Sequence, residues 1–269
     1  MTFEPAYLRL LRSGELKERA REAYRRLEAC DLCPRHCGVN RREGAGGHCR
    51  TGELARVASY HRHFGEERPL VGTGGSGTIF FAWCNLNCVY CQNYELSQLG
   101  EGDEVGPEDL AMMMLQLQSA GCHNINFVSP SHVVPQILAG VLIAAQAGLR
   151  LPLVYNTGGY DALATLALLD GVFDIYMPDV KYADEATGRR LSGVRDYPAI
   201  NRAAVVEMHR QVGDLQLDER GIALRGLLVR HLVLPGQLAG TAETVRWLAR
   251  EVSVNTYLNI MAQYRPCYQ

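Results

Sequence analysis

From residue 77 onward, apolar and polar stretches alternate along the chain. Six short apolar runs read as strands: "TIFFAW" (78–83), "NINFVS" (124–129), "LPLVYNT" (151–157), "FDIYMPDV" (173–180), "LLVRHLVLP" (227–235) and "TYLNIMAQY" (256–264). They are rich in Val, Ile, Leu and Phe, as strands covered on both faces are. Helix-like runs fill the gaps at 107–121, 131–148, 161–171, 197–213 and 240–252. The first opens on Pro107, Glu108 and Asp109 and closes at Gly121, a sound helix start and stop. Alternation of this kind predicts an α/β fold with a parallel sheet. Six units suit a partial (β/α)6 barrel or a doubly wound sheet, and in either one the chemistry sits at the C-terminal ends of the strands.

Ahead of this region the pattern changes. Leu16, Ala20, Ala23, Tyr24 and Leu27 fall on one helical face, and Glu15/Arg19 and Glu22/Arg26 are spaced i,i+4. A cysteine- and glycine-rich loop follows, "CDLCPRHCGVNRREGAGGHCRTGE", and glycines crowd "VGTGGSGT" at 71–78. The expected organisation is an N-terminal helix with a Cys-rich extension over 1–70 and a barrel over 71–269.

Composition narrows the function. The chain has 269 residues, is 47% hydrophobic and carries a net charge of −2. That gives material for a sizeable core but no basic excess to favour nucleic acid or an anionic membrane. No apolar run approaches the ~18 residues of a membrane span. The charged N-terminus lacks a secretory apolar stretch, so a cytoplasmic location with reduced thiols is expected. Nine cysteines then point to metal ligation before disulfides.

Three of them, Cys84, Cys88 and Cys91, follow the first predicted strand in "CNLNCVYC". Structural zinc and electron-transfer clusters usually take four protein ligands. Three thiolates on a four-iron cluster leave one iron open to a substrate. The other reading is a zinc site or incidental buried thiols.

"CNLNCVYC" resembles the CxxxCxφC cluster motif of the radical S-adenosylmethionine (radical SAM) superfamily, with Tyr90 as the aromatic. The likeness runs over 77–266 and is closest to the branch named pyruvate formate-lyase activating enzyme-like. It rests on "CNLNCVYCQNYELSQ", "GCHNINFVSPSHVVPQIL", "VYNTGGYD", "IYMPDVKY", "MHRQVGDL", "RHLVLPG" and "NIMAQYRPCY". The resemblance implies a partial (β/α)6 barrel and a [4Fe–4S] cluster that reductively cleaves S-adenosylmethionine. A 5′-deoxyadenosyl radical then abstracts hydrogen from a substrate, and an electron donor of flavodoxin or ferredoxin type supplies the electron. It also implies a further helix or two beyond "QYRPCY", where this sequence ends.

Residue by residue, the resemblance implies that Asp179 and Lys181 of "DVK" face the ribose and the methionine carboxylate. Asn156 of "NTGG" stands near the cofactor. Arg230 of "RHLVLPG" reaches the methionine carboxylate, and Leu232 packs near adenine, as does Tyr90. Gln263 takes the place of the relatives' histidine. Each could equally be an ordinary polar group at a strand end. Where the superfamily often has "GGE", this chain reads Ser129-Pro130-Ser131, so the acid for the methionine amino group is missing and Ser129 is the remaining candidate.

Cys30, Cys33, Cys37 and Cys49 form CxxCxxxCx11C in a loop with little core of its own, the pattern of a metal knot holding zinc or an auxiliary cluster. Cys122 reads as a small buried residue. Tyr155, Tyr160 and His231 are possible cavity residues without roles. Three functions are compatible with these residues. The first is a radical SAM enzyme acting on a small molecule or a side chain. The second is an activase placing a glycyl radical on a protein partner. The third is a non-enzymatic carrier of metal or iron–sulfur, which would have no use for an open three-thiol motif.

Overall fold

The structure is a computed structural model and describes residues 3–44 and 46–269. Helices α1 (Tyr7–Ser13) and α2 (Glu15–Arg25) are separated by Gly14, whose φ of 81° lets the chain turn between them. After the Cys-rich loop come β1 (Ala55–His63) and the short α3 (Arg68–Val71). The alternating region then runs through β2 (Ser76–Phe81), α4 (Tyr94–Ser97), β3 (Asp103–Val105), α5 (Pro107–Ser119), β4 (Ile125–Val128) and α6 (Val134–Gln146). It continues with β5 (Leu153–Thr157), α7 (Leu163–Leu169), β6 (Ile175–Pro178), α8 (Glu185–Ser192) and α9 (Tyr197–Val212). Last come β7 (Gln216–Leu217), β8 (Ala223–Leu232), α10 (Thr241–Trp247) and β9 (Tyr257–Met261).

All six runs read as strands are strands, and they pair in parallel in the order β2-β4-β5-β6-β8-β9. The order advances in one direction with no reversal. This selects the open (β/α)6 barrel over the doubly wound sheet, whose strand order must turn back on itself. β1 runs antiparallel beside β2 and carries β3 on its outer edge. Neither was legible as a strand: β1 is "ARVASYHRH", with polar residues on both faces.

Alternation along the strands divides two cores. Phe127, Tyr155, Tyr176, Leu227 and Val229 point outward into the layer of helices, where α6 contributes Ile137, Leu138 and Val141, all fully buried. Each such side chain contributes about 1.5–3 kcal/mol by leaving water. Val154, Ile175, Met177 and Leu228 point inward and pack on Leu70 of α3. Asn124 fixes that helix by donating to the Leu70 carbonyl at 2.8 Å. The segment before β2 therefore fills the barrel from inside, and the C-terminal ends of the strands stay open.

Candidate functional site

The loop after β2 carries Cys84, Cys88 and Cys91. Its backbone is held from both sides. Trp83 N–H donates to the Leu96 carbonyl, and Asn87 and Val89 N–H donate to Ser192 and Leu191 of α8. Asn85 is buried and donates to the Tyr160 carbonyl at 2.7 Å. Trp83 has a φ of 66°, which a bulky residue adopts only when its surroundings force it. It is the last residue before the first thiol.

Each thiol has a polar neighbour. Leu86 N–H donates to Cys84 Sγ at 3.4 Å, Cys88 Sγ lies 3.0 Å from Ser192 Oγ, and Cys91 Sγ lies 3.1 Å from Ser97 Oγ. Burial pushes the Cys84 thiol up to about 12, and Cys88 beside it adds to the effect. Burial likewise raises Cys88, with Lys181 pulling it back. Bare thiolates are disfavoured here, and a cationic metal at the sulfurs reverses that balance.

A cavity of about 240 Å³ opens at the C-terminal ends of the strands. The three cysteines, Tyr90, Ser129, Asn156, Asp179, Lys181, Arg230, Leu232 and Gln263 all line it. Every candidate of the cluster and cofactor set thus meets at one place, contributed by the loop after β2 and the ends of β4, β5, β6, β8 and β9. Among the described residues, no three His, Cys, Asp or Glu side chains converge on one point as ligands of a single ion.

The charged wall of the cavity is a network. Lys181 Nζ donates to Asp179 Oδ2 at 2.6 Å, and Arg230 Nε donates to Asp179 Oδ1 at 3.0 Å. Arg230 Nη2 donates to Asn156 Oδ1 at 2.8 Å. Burial alone would raise the Asp179 carboxyl, but Arg230 and Lys181 outweigh it and hold the pKa below the usual value. Lys181 is desolvated as well, and Asp179 still drives it well above its ordinary value, so both charges persist. Tyr197 Oη lies 2.9 and 3.0 Å from the carbonyls of Gly158 and Asp179, and Asn201 Nδ2 donates to the Gly159 and Asp179 carbonyls at 2.9 Å.

Several residues of this site had no sequence signal. Glu66 and Glu67, just before α3, reach Arg230 from inside the barrel at 3.6 and 4.0 Å. Burial pushes Glu66 up to about 7, against the pull of Arg230 and with the help of Glu67. A hydroxyl chain runs from Tyr90 Oη to Tyr182 Oη to Ser192 Oγ, 2.7 Å at each step, and ends at Cys88. Ser131 and His132 do not line the cavity; Ser131 Oγ lies 3.0 Å from Thr157 Oγ1 and His132 Nε2 lies 3.0 Å from the Ala82 carbonyl. Tyr155, Tyr160 and His231 use their polar atoms elsewhere, on Asp161, Asp196 and the Val180 carbonyl.

Residues 78–248 match the family profile described as the radical SAM superfamily. An uncharacterized protein of Methanocaldococcus jannaschii is 31% identical over 247 residues, which cover 89% of this chain and 67% of that protein. A second uncharacterized protein of the same organism is 27% identical over 109 residues, 34% of this chain and 32% of that one. Solved structures with a related course of the chain include TYW1 with a lysine–pyruvate adduct bound, at 12% identity and a TM-score of 0.46, covering 71% of this chain and 67% of that one. Another is Streptococcus suis SuiB bound to the precursor peptide SuiA, at 13% identity and a TM-score of 0.48, covering 70% and 40%. No helix among the described residues is long and apolar enough to cross a membrane.

Proposed function

The chain belongs to the radical SAM superfamily, and on that premise we propose that Cys84, Cys88 and Cys91 hold a [4Fe–4S] cluster with S-adenosylmethionine beside it. Membership of the family implies both groups. The observation that carries the assignment to these residues is the single cavity shared by three thiols and six polar strand-end groups, Ser129, Asn156, Asp179, Lys181, Arg230 and Gln263. The donor set fits, because three soft thiols satisfy three irons and leave the fourth for an outside ligand. When bound, the cluster supplies the electron that cleaves the sulfonium, and hydrogen abstraction from the substrate follows from that cleavage.

The chain's own residues bind, orient and exclude water. Lys181 and Arg230 offer an ammonium and a guanidinium to the methionine carboxylate. Asp179 and Asn156 accept from the ribose hydroxyls. Tyr90 and Leu232 offer apolar surface to adenine, Ser129 can accept from the methionine ammonium, and Gln263 borders the same space. Leu86 and Met261 add apolar wall, which keeps water from a reactive radical. The hydrogen donor is a small molecule or a side chain, and the electron donor is a flavodoxin- or ferredoxin-type protein. A reducing, cytoplasmic setting suits these thiols.

Binding of S-adenosylmethionine to the reconstituted protein tests the assignment. Asp179→Ala removes a buried, hydrogen-bonded contact worth about 1–3 kcal/mol, so affinity should fall about 5- to 150-fold. Unchanged affinity would remove Asp179 from the site.

A further inference from the structure

The loop between α2 and β1 has a chemistry of its own, outside the residues that match the family profile. Among the described residues its one helical turn is Arg41–Glu43, and its core is little more than Leu27, Cys30 and Leu32 with Tyr24 and Val39 packed against them. So small a core does not fix a loop of this length by hydrophobic burial. Yet Cys30, Cys33 and Cys49 are buried within it, and Cys37 is half-buried. A short antiparallel turn pairs Cys30 N–H with the Val39 carbonyl and Gly38 N–H with the Cys30 carbonyl, both at 2.9 Å, and brings the first and third cysteines together.

Three features bear on these sulfurs. His48 N–H donates to Cys37 Sγ at 3.4 Å. Gly47 passes so close to Cys37 that a β-carbon there would lie 2.9 Å from its Sγ, so a larger residue would displace the sulfur from its present position. The third feature is Arg41. Its guanidinium is buried, 1% exposed, and its contacts are the carbonyls of Gly52 and His132 and, at 3.8 Å, Cys30 Sγ. Among the described residues its hydrogen-bond partners include no carboxylate. A buried cation without an anion is costly, and the anionic group nearest to hand is a set of thiolates.

We propose that Cys30, Cys33, Cys37 and Cys49 hold a second metal centre through four thiolates, with buried Arg41 as its counter-charge. The metal is thiolate-seeking, either one zinc ion or a second [4Fe–4S] cluster. The four sulfurs do not converge on one point as ligands of a single ion, so binding a metal would draw them together. The centre would fold the loop and brace the Cys84–Cys91 loop next to it. Arg35, between the second and third ligands, donates to the Asn85 carbonyl at 2.9 Å and to the Gly193 carbonyl at 3.1 Å.

The test uses the full chain with Cys84, Cys88 and Cys91 all replaced by serine, which separates this centre from the proposed catalytic cluster. After anaerobic purification and reconstitution, that variant should retain about one zinc per chain or about four irons with sulfide. Either metal supports the proposal, and a folded variant holding neither overturns it. Because Cys33→Ser and Cys49→Ser variants can fail to fold, thiol alkylation of the wild-type chain is read alongside. The four cysteines should be protected until a chelator strips the metal, and equal labelling before and after would overturn the proposal. Arg41→Gln should weaken the hold on metal about 10- to 100-fold in chelator competition. An unchanged hold would remove Arg41 as counter-charge.

Discussion

Arg230 and Asp179 lock the ends of two neighbouring strands together. Their backbones form a parallel bridge between β8 and the residue just past β6, and Arg230 Nε donates to Asp179 Oδ1 at 3.0 Å. The same guanidinium reaches Asn156 at the end of β5 and the Glu66 and Glu67 carboxylates beside α3. One side chain thus ties three strands and the inner segment to the wall of the cavity.

Arg230→Met should therefore cost more than a surface pair would. It leaves Asp179, Glu66 and Glu67 buried with one cation fewer, and removing one partner of a buried pair typically costs about 3–5 kcal/mol. Arg230→Lys keeps the charge but cannot bridge Asp179 and Asn156 at once, so it should recover only part of that loss. Urea unfolding of both variants checks this, and equal losses would contradict the bridging role.

Gly159→Ala probes how the Asp179 end of the site is held. Gly159 has a φ of 76°, and a β-carbon there would overlap the Asp179 carbonyl oxygen and Asn201 Nδ2. Backbone cannot yield as a flexible side-chain tip can, so β5 and β6 must part at their ends. A stability loss of about 2 kcal/mol or more is expected, with weakened S-adenosylmethionine binding. Thermal unfolding and a binding titration read the two effects, and a variant matching wild type in both would contradict this packing.

His132 makes stability depend on acid pH. Burial, helped by the Arg41 charge nearby, lowers its pKa from 6.5 to about 3. The folded state then binds fewer protons than the unfolded state between these values, so the contribution is full above pH 6.5 and is lost as the pH falls toward 3. Each unit in that window removes up to about 1.4 kcal/mol. His132→Gln, which keeps a donor for the Ala82 carbonyl, should show a shallower decline in urea stability between pH 7 and pH 5. Parallel declines would contradict the assignment.

The barrel was legible because its strands are short apolar runs set between helical ones; five of the six are largely buried, whereas β9, at the edge of the sheet, leaves Tyr257 and Ile260 in water. Asn156, Asp179, Lys181, Arg230 and Gln263 were picked out by the family resemblance, not by the pattern, and the parallel register carries them to one rim. β1 was not legible, since His61 and Arg62 break any apolar alternation in a strand with much of its surface in water. α8, "EATGRRLS", is polar over most of its length and has no apolar stripe to mark it, although its Ser192 touches Cys88. Glu66 and Glu67 read as surface acids of a loop; only the tertiary fold puts them against Arg230. Arg41 is the same case: nothing in "VNRREG" distinguishes a buried guanidinium from its exposed neighbour Arg42.

The central claim is that Cys84, Cys88 and Cys91 form the reactive centre. The most direct measurement is anaerobic reconstitution with iron and sulfide, then S-adenosylmethionine and dithionite, with 5′-deoxyadenosine quantified by chromatography. Wild type should form it, and Cys88→Ala should form none while keeping the wild-type circular dichroism spectrum. Undiminished 5′-deoxyadenosine from Cys88→Ala, or none from a wild-type protein that has taken up its cluster, would contradict the account.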